Sequence, residues 1–304
     1  MSSEITLLVN PTAGRGRGAH AAQPAASALR AAGFSVRTVL GADAADALAR
    51  LRGAVREGTG AVIAVGGDGV VSLALQALAG TPVPLGVVAV GTGNDFARGL
   101  GLPVRDPARA GRLAAEALKE GRTRALDLGR VVRGSSRPES GPTWYGTVLC
   151  SGFDSRVNER GSRTRLRAGR FTYDLAMLAE LASLAPVRYR LTLDDGEPVE
   201  TEATLVAVGN GPSYGGGMRI CADAVPDDGL LDVTVVGDCG RAGLLKVFPR
   251  VYKGTHLSHP KVTVHRAAKV TLEAVGLTAW ADGEPVGPLP VTTECVPAAL
   301  RLLA

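Results

Sequence analysis

The stretch AVIAVGGDGVVSLALQAL, residues 61–78, decides the fold of the first half of the chain. An apolar run, a glycine-rich break and a segment with helical spacing follow one another, which predicts a buried strand, a tight loop and a helix. The same order recurs around 5–9, 36–40 and 85–90, and the first of these strands leads to a helix predicted at 19–32. Alternating strands and helices predict a mostly parallel sheet with helices on both faces.

The pattern changes after about residue 125, where short strands and turns replace the strand–helix units. Strands are predicted at 126–132, 144–150, 188–193, 204–208, 231–236, 262–264 and 270–272, with one helix near 170–184. We therefore expect an α/β plus all-β protein with two domains. The first is a mostly parallel α/β nucleotide-binding domain over 1–125, completed by 291–304, and the second is an antiparallel β-sandwich-like domain over 126–290.

Composition narrows the class of function. The chain has 304 residues, of which 45% are hydrophobic and 21% charged, so it can build sizeable cores and is not disordered. A net charge of +5 favours anionic partners such as phosphates or a membrane surface, whereas only 4% aromatic residues argue against nucleic acid. No apolar run reaches the length of about 18–20 residues that spans a bilayer. The cysteines are widely spaced without a CxxC pair, so we expect a soluble, cytoplasmic protein with reduced thiols.

GGDG, residues 66–69, lies between a predicted strand and a predicted helix. Glycines there let a ligand approach the backbone, and the amides of a helix N-terminus favour phosphate. Asp68 differs from its neighbours, because its carboxylate would repel a phosphate unless a cation lay between them. Two roles for Asp68 follow from this: it holds Mg²⁺, directly or through water, or it caps the helix.

Two further polar loops follow predicted strands, namely NPTAG at 10–14 and GTGNDFAR at 91–98. The carboxyl ends of parallel strands lie at one edge of a sheet, so all three loops should line one crevice. The sequence therefore predicts a nucleotide or phosphate site at this edge.

Together with GNG…GGG at 209–217, PDDGLLDV at 226–233 and DGEP at 282–285, these motifs resemble the diacylglycerol kinase catalytic-domain family, in its soluble bacterial lipid-kinase branch. The motifs keep the family's order and cover nearly the whole chain, although GGDG alone is shared with NAD kinases. The resemblance implies a nucleotide-binding α/β domain, a β-rich second domain and an active site between them. It also implies phosphorylation of a lipid hydroxyl, such as that of diacylglycerol, with ATP as donor and Mg²⁺ as cofactor.

The resemblance further implies roles for individual residues. Glu284 would be the general base, with Asp68 as the second catalytic residue. A bound Mg²⁺ would be held by the Asp228 carboxylate and the backbone carbonyls of Val225 and Leu230. The nucleotide would contact Asn10, Pro11, Thr12, Thr38, Gly66, Gly67, Asp68, Gly69, Val70, Val71, Ser72 and Thr92. Val70 and Ser72 depart from the threonine and asparagine usual in the family, and Val70 removes a hydroxyl from this loop.

Other functions stay open on the sequence alone. GRGRGA at 14–19 fits the GxGxxA loop of an NAD(P)-binding oxidoreductase, although no acidic residue ends the second strand. Val70 and Ser72 also allow a non-catalytic module that binds nucleotide or lipid. GPSYG at 211–215 fits the elbow of a hydrolase, but the segment after it is a poor helix. His256 and His259 have no acidic residue or cysteine close in sequence, which argues against a metal site there.

Six arginines stand between residues 156 and 170, where Glu159 is the single acidic residue. A lipid kinase without a membrane span must reach its substrate at an interface, and each basic residue near anionic headgroups contributes about 1 kcal/mol. We therefore expect a lipid alcohol substrate and peripheral contact with the anionic inner face of the membrane. We also expect a homodimer and no nucleic acid partner.

Overall fold

The computed structural model describes residues 3–11, 13–133, 143–152 and 186–304. The helix predicted near 170–184, the arginine cluster at 156–170 and Thr12 lie outside the described residues.

A parallel sheet forms the centre of the first domain, as predicted. Its strands, in the spatial order β4-β3-β1-β2, are β1 (Glu4–Val9), β2 (Ser35–Val39), β3 (Ala61–Gly66) and β4 (Leu85–Ala89). The helices are α1 (Ala13–Ala31), α2 (Ala44–Arg56), α3 (Asp68–Leu78), α4 (Asp95–Gly99) and α5 (Pro107–Glu120). Alternate residues of β3 face opposite sides of the sheet. Val62 and Ala64 pack with α2 and α3, whereas Ile63 and Val65 pack with α1 and α5.

Local signals fix most of the helix ends. The side chains of Asp43 and Asp106 accept hydrogen bonds from the amides of Asp46 and Arg109, and so cap α2 and α5. α1 begins at Ala13, six residues before the predicted start. The helix passes so close to the end of β1 that a Cβ on Gly18 would lie 2.0 Å from the carbonyl oxygen of Asn10. Gly18, one of the glycines that argue against a helix here, is what permits this close packing.

The second domain is an antiparallel β-structure, which confirms the predicted fold class. Its strands are β5 (Arg124–Arg133), β6 (Thr143–Tyr145), β7 (Val148–Gly152), β8 (Val187–Leu193), β9 (Val199–Gly209), β10 (Leu231–Gly237), β11 (Val262–Ala267), β12 (Lys269–Glu273), β13 (Thr278–Ala281), β14 (Glu284–Pro288) and β15 (Val291–Leu302). Fully buried Tyr145 and Tyr189 lie in its core.

The last strand joins the two domains. β15 pairs antiparallel with β5 and β12, and its end at Leu302 lies parallel to Leu85 of β4. β5 also belongs to both cores, because Leu126 packs in the first and Val131 in the second. The two domains therefore share the β5–β15 ladder instead of meeting only at a surface.

One sequence prediction of secondary structure is wrong, and one helix has no counterpart among the predictions. The single strand at 144–150 is divided into β6 and β7, because the backbone amides of Gly146 and Thr147 donate to Asp282 and not to a strand ladder. A helix, α6 (Gly240–Lys253), was not predicted, since Pro249 inside it interrupts the helical pattern. Within the described ranges, no helix combines the length and apolar character needed to cross a membrane.

The β5–β6 pairing generates a stability prediction. Gly129 lies opposite Tyr145, and a Cβ on Gly129 would fall 2.1 Å from Cζ of the tyrosine ring. Gly129→Ala should therefore lower the free energy of unfolding by about 1–3 kcal/mol, measured by urea denaturation. The matched control is Gly53→Ala inside α2, where an added Cβ meets nothing within 4 Å and should stabilise by about 0.5–1 kcal/mol. Equal effects of the two changes would contradict the proposed packing.

Candidate active site

The loops after β1, β3 and β4 meet at one edge of the sheet, where the strand–helix alternation predicts them. The amide of Asn10 donates to the carbonyl of Val65 at 3.2 Å, and the amide of Gly91 donates to that of Gly66 at 3.2 Å. A Cβ on Gly91 would lie 2.4 Å from the Cα of Gly67. Only glycine fits at such an approach, so the two glycine motifs hold their loops in direct contact.

The residues expected to contact nucleotide fall into two groups. Asn10, Pro11, Thr38, Gly69 and Thr92 are exposed along this edge.

By contrast, Val70, Val71 and Ser72 have side chains that are less than a tenth exposed. Val70 belongs to the core and lies against Gly66, since one of its methyl groups is 2.5 Å from the position of a Cβ there. The substitution of the family's threonine by Val70 thus places an apolar side chain in an apolar environment.

Asp68 does more than begin a helix. Its carboxylate accepts hydrogen bonds from the amides of Asn94 at 2.6 Å and Phe96 at 3.2 Å, so it fastens α3 to the loop after β4. Burial raises the pKa of Asp68, and these hydrogen bonds oppose the rise because they favour the charged form.

Asp95 connects the two domains. It begins α4, and its carboxylate accepts from the amides of Gly216 at 2.7 Å and Gly217 at 2.6 Å in the loop after β9. Burial raises the pKa of Asp95 to about 6, and the charge of Asp68 adds to the effect. The sequence analysis gave this residue no role, although it stands in the GTGNDFAR motif.

The carboxylates of Asp68 and Asp95 lie close together. Their Oδ2 atoms are 2.8 and 3.1 Å from the position that a Cβ on Gly93 would occupy. Two partly buried carboxylates at this spacing repel each other, and a cation relieves the repulsion. Carboxylate oxygens suit Mg²⁺, so this pair supplies two candidate ligands at the edge where the glycine loops meet.

A tight turn lies directly before Glu284. Asp282 and Gly283, with φ angles of 50° and 83°, form the two-residue connection between β13 and β14. The Asp282 carboxylate accepts from the amides of Gly146 and Thr147 at 2.8 and 2.9 Å. Gly146 and Thr147 line one cavity together with Asp95, so this turn lies on the same side of the cleft as Asp95. Burial raises the pKa of Asp282, and the charge of Asp68 adds to the rise.

Glu284 follows directly as the first residue of β14. Its side chain is accessible to solvent, and desolvation by the surrounding protein raises its pKa. Among the described residues, no basic side chain forms an ion pair with it. An accessible carboxylate with a raised pKa is suited to accept a proton.

The chain carries the same pentapeptide, DGEPV, a second time at 195–199. There Asp195 pairs with Lys269 at 2.7 Å and its side chain is 75% exposed, so the turn is an ordinary surface hairpin. The three hydrogen bonds from Gly146 and Thr147 to Asp282 distinguish the copy at 282–286.

In the turn at 226–229, where Mg²⁺ is expected, the carboxylate of Asp228 contacts an arginine. One oxygen of Asp228 accepts from the amide of Leu230 at 3.1 Å, and the other is paired with the guanidinium of Arg266. The side chain of Val225 is 44% exposed. Within the described ranges, no three acidic, histidine or cysteine side chains are grouped to hold a metal ion, either here or at the Asp68–Asp95 pair. Asp228 is therefore paired with a guanidinium of the chain itself, and the metal role of Val225, Asp228 and Leu230 stays a prediction.

Asp127, which the sequence analysis missed, fastens this turn to the rest of the molecule. Its buried carboxylate accepts from the amides of Gly229 at 2.7 Å and Ala298 at 2.8 Å. Asn210 adds a further link, because its side-chain amide donates to the carbonyls of Asp127 and Gly146 at 2.9 and 3.2 Å. Burial and backbone hydrogen bonds reveal both residues, whereas the sequence offers only the GNG motif.

The competing sequence patterns find no support. GRGRGA lies at the start of α1, where Gly18 packs closely against Asn10 at the end of β1. Residues 211–215 are followed by turns instead of the helix that a hydrolase elbow requires. His256 is buried, and its Nε2 lies 3.0 Å from the carbonyl oxygen of Ile220.

Comparison with known proteins places these features in one family. The diacylglycerol kinase catalytic domain matches residues 4–131, and the YegS C-terminal NAD kinase beta sandwich-like domain matches residues 147–304. A protein named diacylglycerol kinase from Mycobacterium tuberculosis is 44% identical over 300 residues, which cover 99% of this chain and 94% of that protein. The chain belongs to the diacylglycerol kinase family. It is a lipid kinase.

One further relative supports this assignment, and two solved structures share the fold. A probable lipid kinase YegS-like protein from Xanthomonas euvesicatoria is 34% identical over 261 residues, covering 82% of this chain and 80% of that protein. A crystal structure of a putative diacylglycerol kinase from Bacillus anthracis superimposes with a TM-score of 0.78 at 22% identity, covering 99% and 95% of the two chains. An NAD kinase from Archaeoglobus fulgidus in complex with ATP shares the fold at a TM-score of 0.55 and 12% identity, covering 99% and 93%.

The raised pKa of Asp95 predicts a dependence of stability on pH. A carboxyl whose pKa rises on folding, here from 3.8 to about 6, stabilises the folded state below the lower value and loses that contribution as the pH rises through the higher one. In the presence of EDTA, the free energy of unfolding of the wild type relative to Asp95→Asn should fall on the order of 3 kcal/mol between about pH 4 and pH 7. A difference that is independent of pH would show that Asp95 titrates normally.

Proposed function

We propose that this lipid kinase uses ATP and Mg²⁺ to phosphorylate a hydroxyl of a diacylglycerol-like lipid. The observation that carries the proposal is the approach of three groups at one cleft: the glycine loops, the Asp68–Asp95 pair and the turn that presents Glu284. Phosphoryl transfer needs positioned phosphates, neutralised charge and an oriented hydroxyl, and this cleft offers a group for each.

The nucleotide would lie along the edge formed by the loops after β1, β3 and β4, with Thr38 and Thr92 exposed on either side. The N-terminus of α3 favours anionic phosphate there. Because the buried side chains of Val70 and Ser72 point to packing roles, the departure from the family pattern does not require loss of binding.

Asp68 and Asp95 would hold the Mg²⁺, which neutralises charge on the transferred phosphoryl group when it is bound. Their hydrogen bonds to backbone amides keep both carboxylates in place before any ligand arrives. Asp68 would thereby serve catalysis, while Asp95 also ties the cleft to the second domain.

Glu284 would accept the proton of the lipid hydroxyl as it attacks. Its raised pKa makes the carboxylate a stronger base than a freely solvated glutamate. Asp282 acts as its positioning residue, because its hydrogen bonds to Gly146 and Thr147 fix the turn from which Glu284 projects.

The lipid would be reached at the cytoplasmic face of the membrane. The net charge of +5 and the arginine cluster at 156–170, which lies outside the described residues, support contact with anionic headgroups. A homodimer is part of the same proposal.

Incubation with labelled ATP and a panel of lipid alcohols tests the function. Glu284→Gln should lower kcat at least about a hundredfold while the affinity for ATP stays within about twofold, because it removes a base and no nucleotide contact. The matched control is Glu197→Gln in the second DGEPV segment, which should retain full activity.

Nucleotide binding without transfer to any lipid would leave a binding module and overturn the kinase proposal for these residues. Equal loss of ATP affinity in Glu284→Gln would show that Glu284 has a structural role.

A further inference from the structure

A guanidinium lies at the turn where the sequence suggests a cation. The turn at 226–229 is held by Asp228, whose carboxylate contacts the Nη2 of Arg266 on β11. The remaining oxygen accepts from the amide of Leu230. The carboxylate that a divalent cation would need is therefore already neutralised by a residue of the chain itself.

The register of two strands keeps Arg266 in this position. β10 and β11 are antiparallel, and Asp232 lies directly opposite Arg266 in the ladder. The Asp232 side chain is only 4% exposed, and its Oδ2 is 3.6 Å from the Nε of Arg266. That distance is an ion pair and too long for a hydrogen bond, so Arg266 stabilises Asp232 mainly through its charge.

The ion pair with Asp232 holds Arg266 in this position independently of Asp228. A buried carboxylate without a positive neighbour is strongly destabilising, whereas the guanidinium stays charged at every physiological pH. Arg266 is the ion-pair partner of Asp232, whose buried Oδ2 has no hydrogen-bond partner among the described residues.

We propose that Arg266 takes the place of a divalent cation at the 226–229 turn, so that this turn is ordered without metal. Its single charge bridges the carboxylates of Asp228 and Asp232 across the β10–β11 ladder.

The 226–229 turn is connected to the active-site cleft through Asp127. The carbonyl of Pro226 accepts from the amide of Asp127 at 2.8 Å, and the amide of Gly229 donates to the Asp127 carboxylate. Pro226, Asp127 and Asp95 line one small cavity between the domains. Arg266 is thus a positioning residue for one wall of the cleft, and it acts through the turn.

Thermal unfolding of nucleotide-free protein, in EDTA and in about 10 mM Mg²⁺, tests the proposal without an activity assay. Any Tm change that Mg²⁺ causes in the wild type should persist in Asp228→Asn, because the turn does not bind the ion. Arg266→Met should unfold at a lower Tm in EDTA and regain about 2–4 °C in Mg²⁺, since the vacated carboxylates then take the cation. The double variant Arg266→Met/Asp228→Asn should lose that gain.

The matched control is Arg124→Met. Arg124 pairs with the neighbouring Asp227 of the same turn at 2.7 Å. The variant therefore removes an equal charge while Asp228 keeps its partner Arg266. It should acquire no new response to Mg²⁺.

A wild-type Tm increase in Mg²⁺ that Asp228→Asn abolishes would overturn the proposal, and this comparison decides it even if Arg266→Met does not fold. A folded Arg266→Met protein with no gain in Mg²⁺ would also contradict it.

Discussion

The hydrogen bonds from the amides of Gly216 and Gly217 to the carboxylate of Asp95 are the contacts on which the cleft depends. They join the first helical turn after β4 to the loop after β9, and so connect the parallel sheet to the β-sandwich. A carboxylate can accept hydrogen bonds from several amides at once, and hydrogen bonds to a charged acceptor are stronger than those between neutral groups. Asp127 and Asp282 have the same arrangement at two other loops, since each carboxylate accepts hydrogen bonds from two backbone amides.

This arrangement explains the electrostatics of the site. Burying Asp68, Asp95 and Asp282 near one another raises all three pKa values, although backbone amides favour their charged forms. The cleft therefore stores unfavourable negative charge where a divalent cation and a nucleotide would bind. At the 226–229 turn, by contrast, the positive charge of Arg266 lies against the carboxylate of Asp228.

Much of the fold follows from local pattern. Buried apolar runs such as Ala61–Gly66 and capping residues such as Asp43 are recognisable in the sequence because neighbours along the chain determine them. The break between β6 and β7 was not recognisable, because its cause is Asp282, more than 130 residues away. α6 was missed because tertiary packing holds a helix that contains a proline.

The site shows the same division. The alternation of strands and loops predicts that three glycine motifs share one edge, and their contacts bear this out. No pattern distinguishes DGEPV at 282–286 from the identical segment at 195–199, since the difference lies in the hydrogen bonds that Asp282 receives. Asp95 and Arg266 likewise acquire their roles only through partners that are distant in sequence.

Amide hydrogen exchange of Gly216 and Gly217 in the wild type and in Asp95→Ala tests most directly whether buried carboxylates hold the cleft together. The account predicts that both amides exchange at least about tenfold faster in the variant, while the amide of Val62 in the centre of β3 is unchanged. Equal protection of the two glycines in both proteins would contradict it.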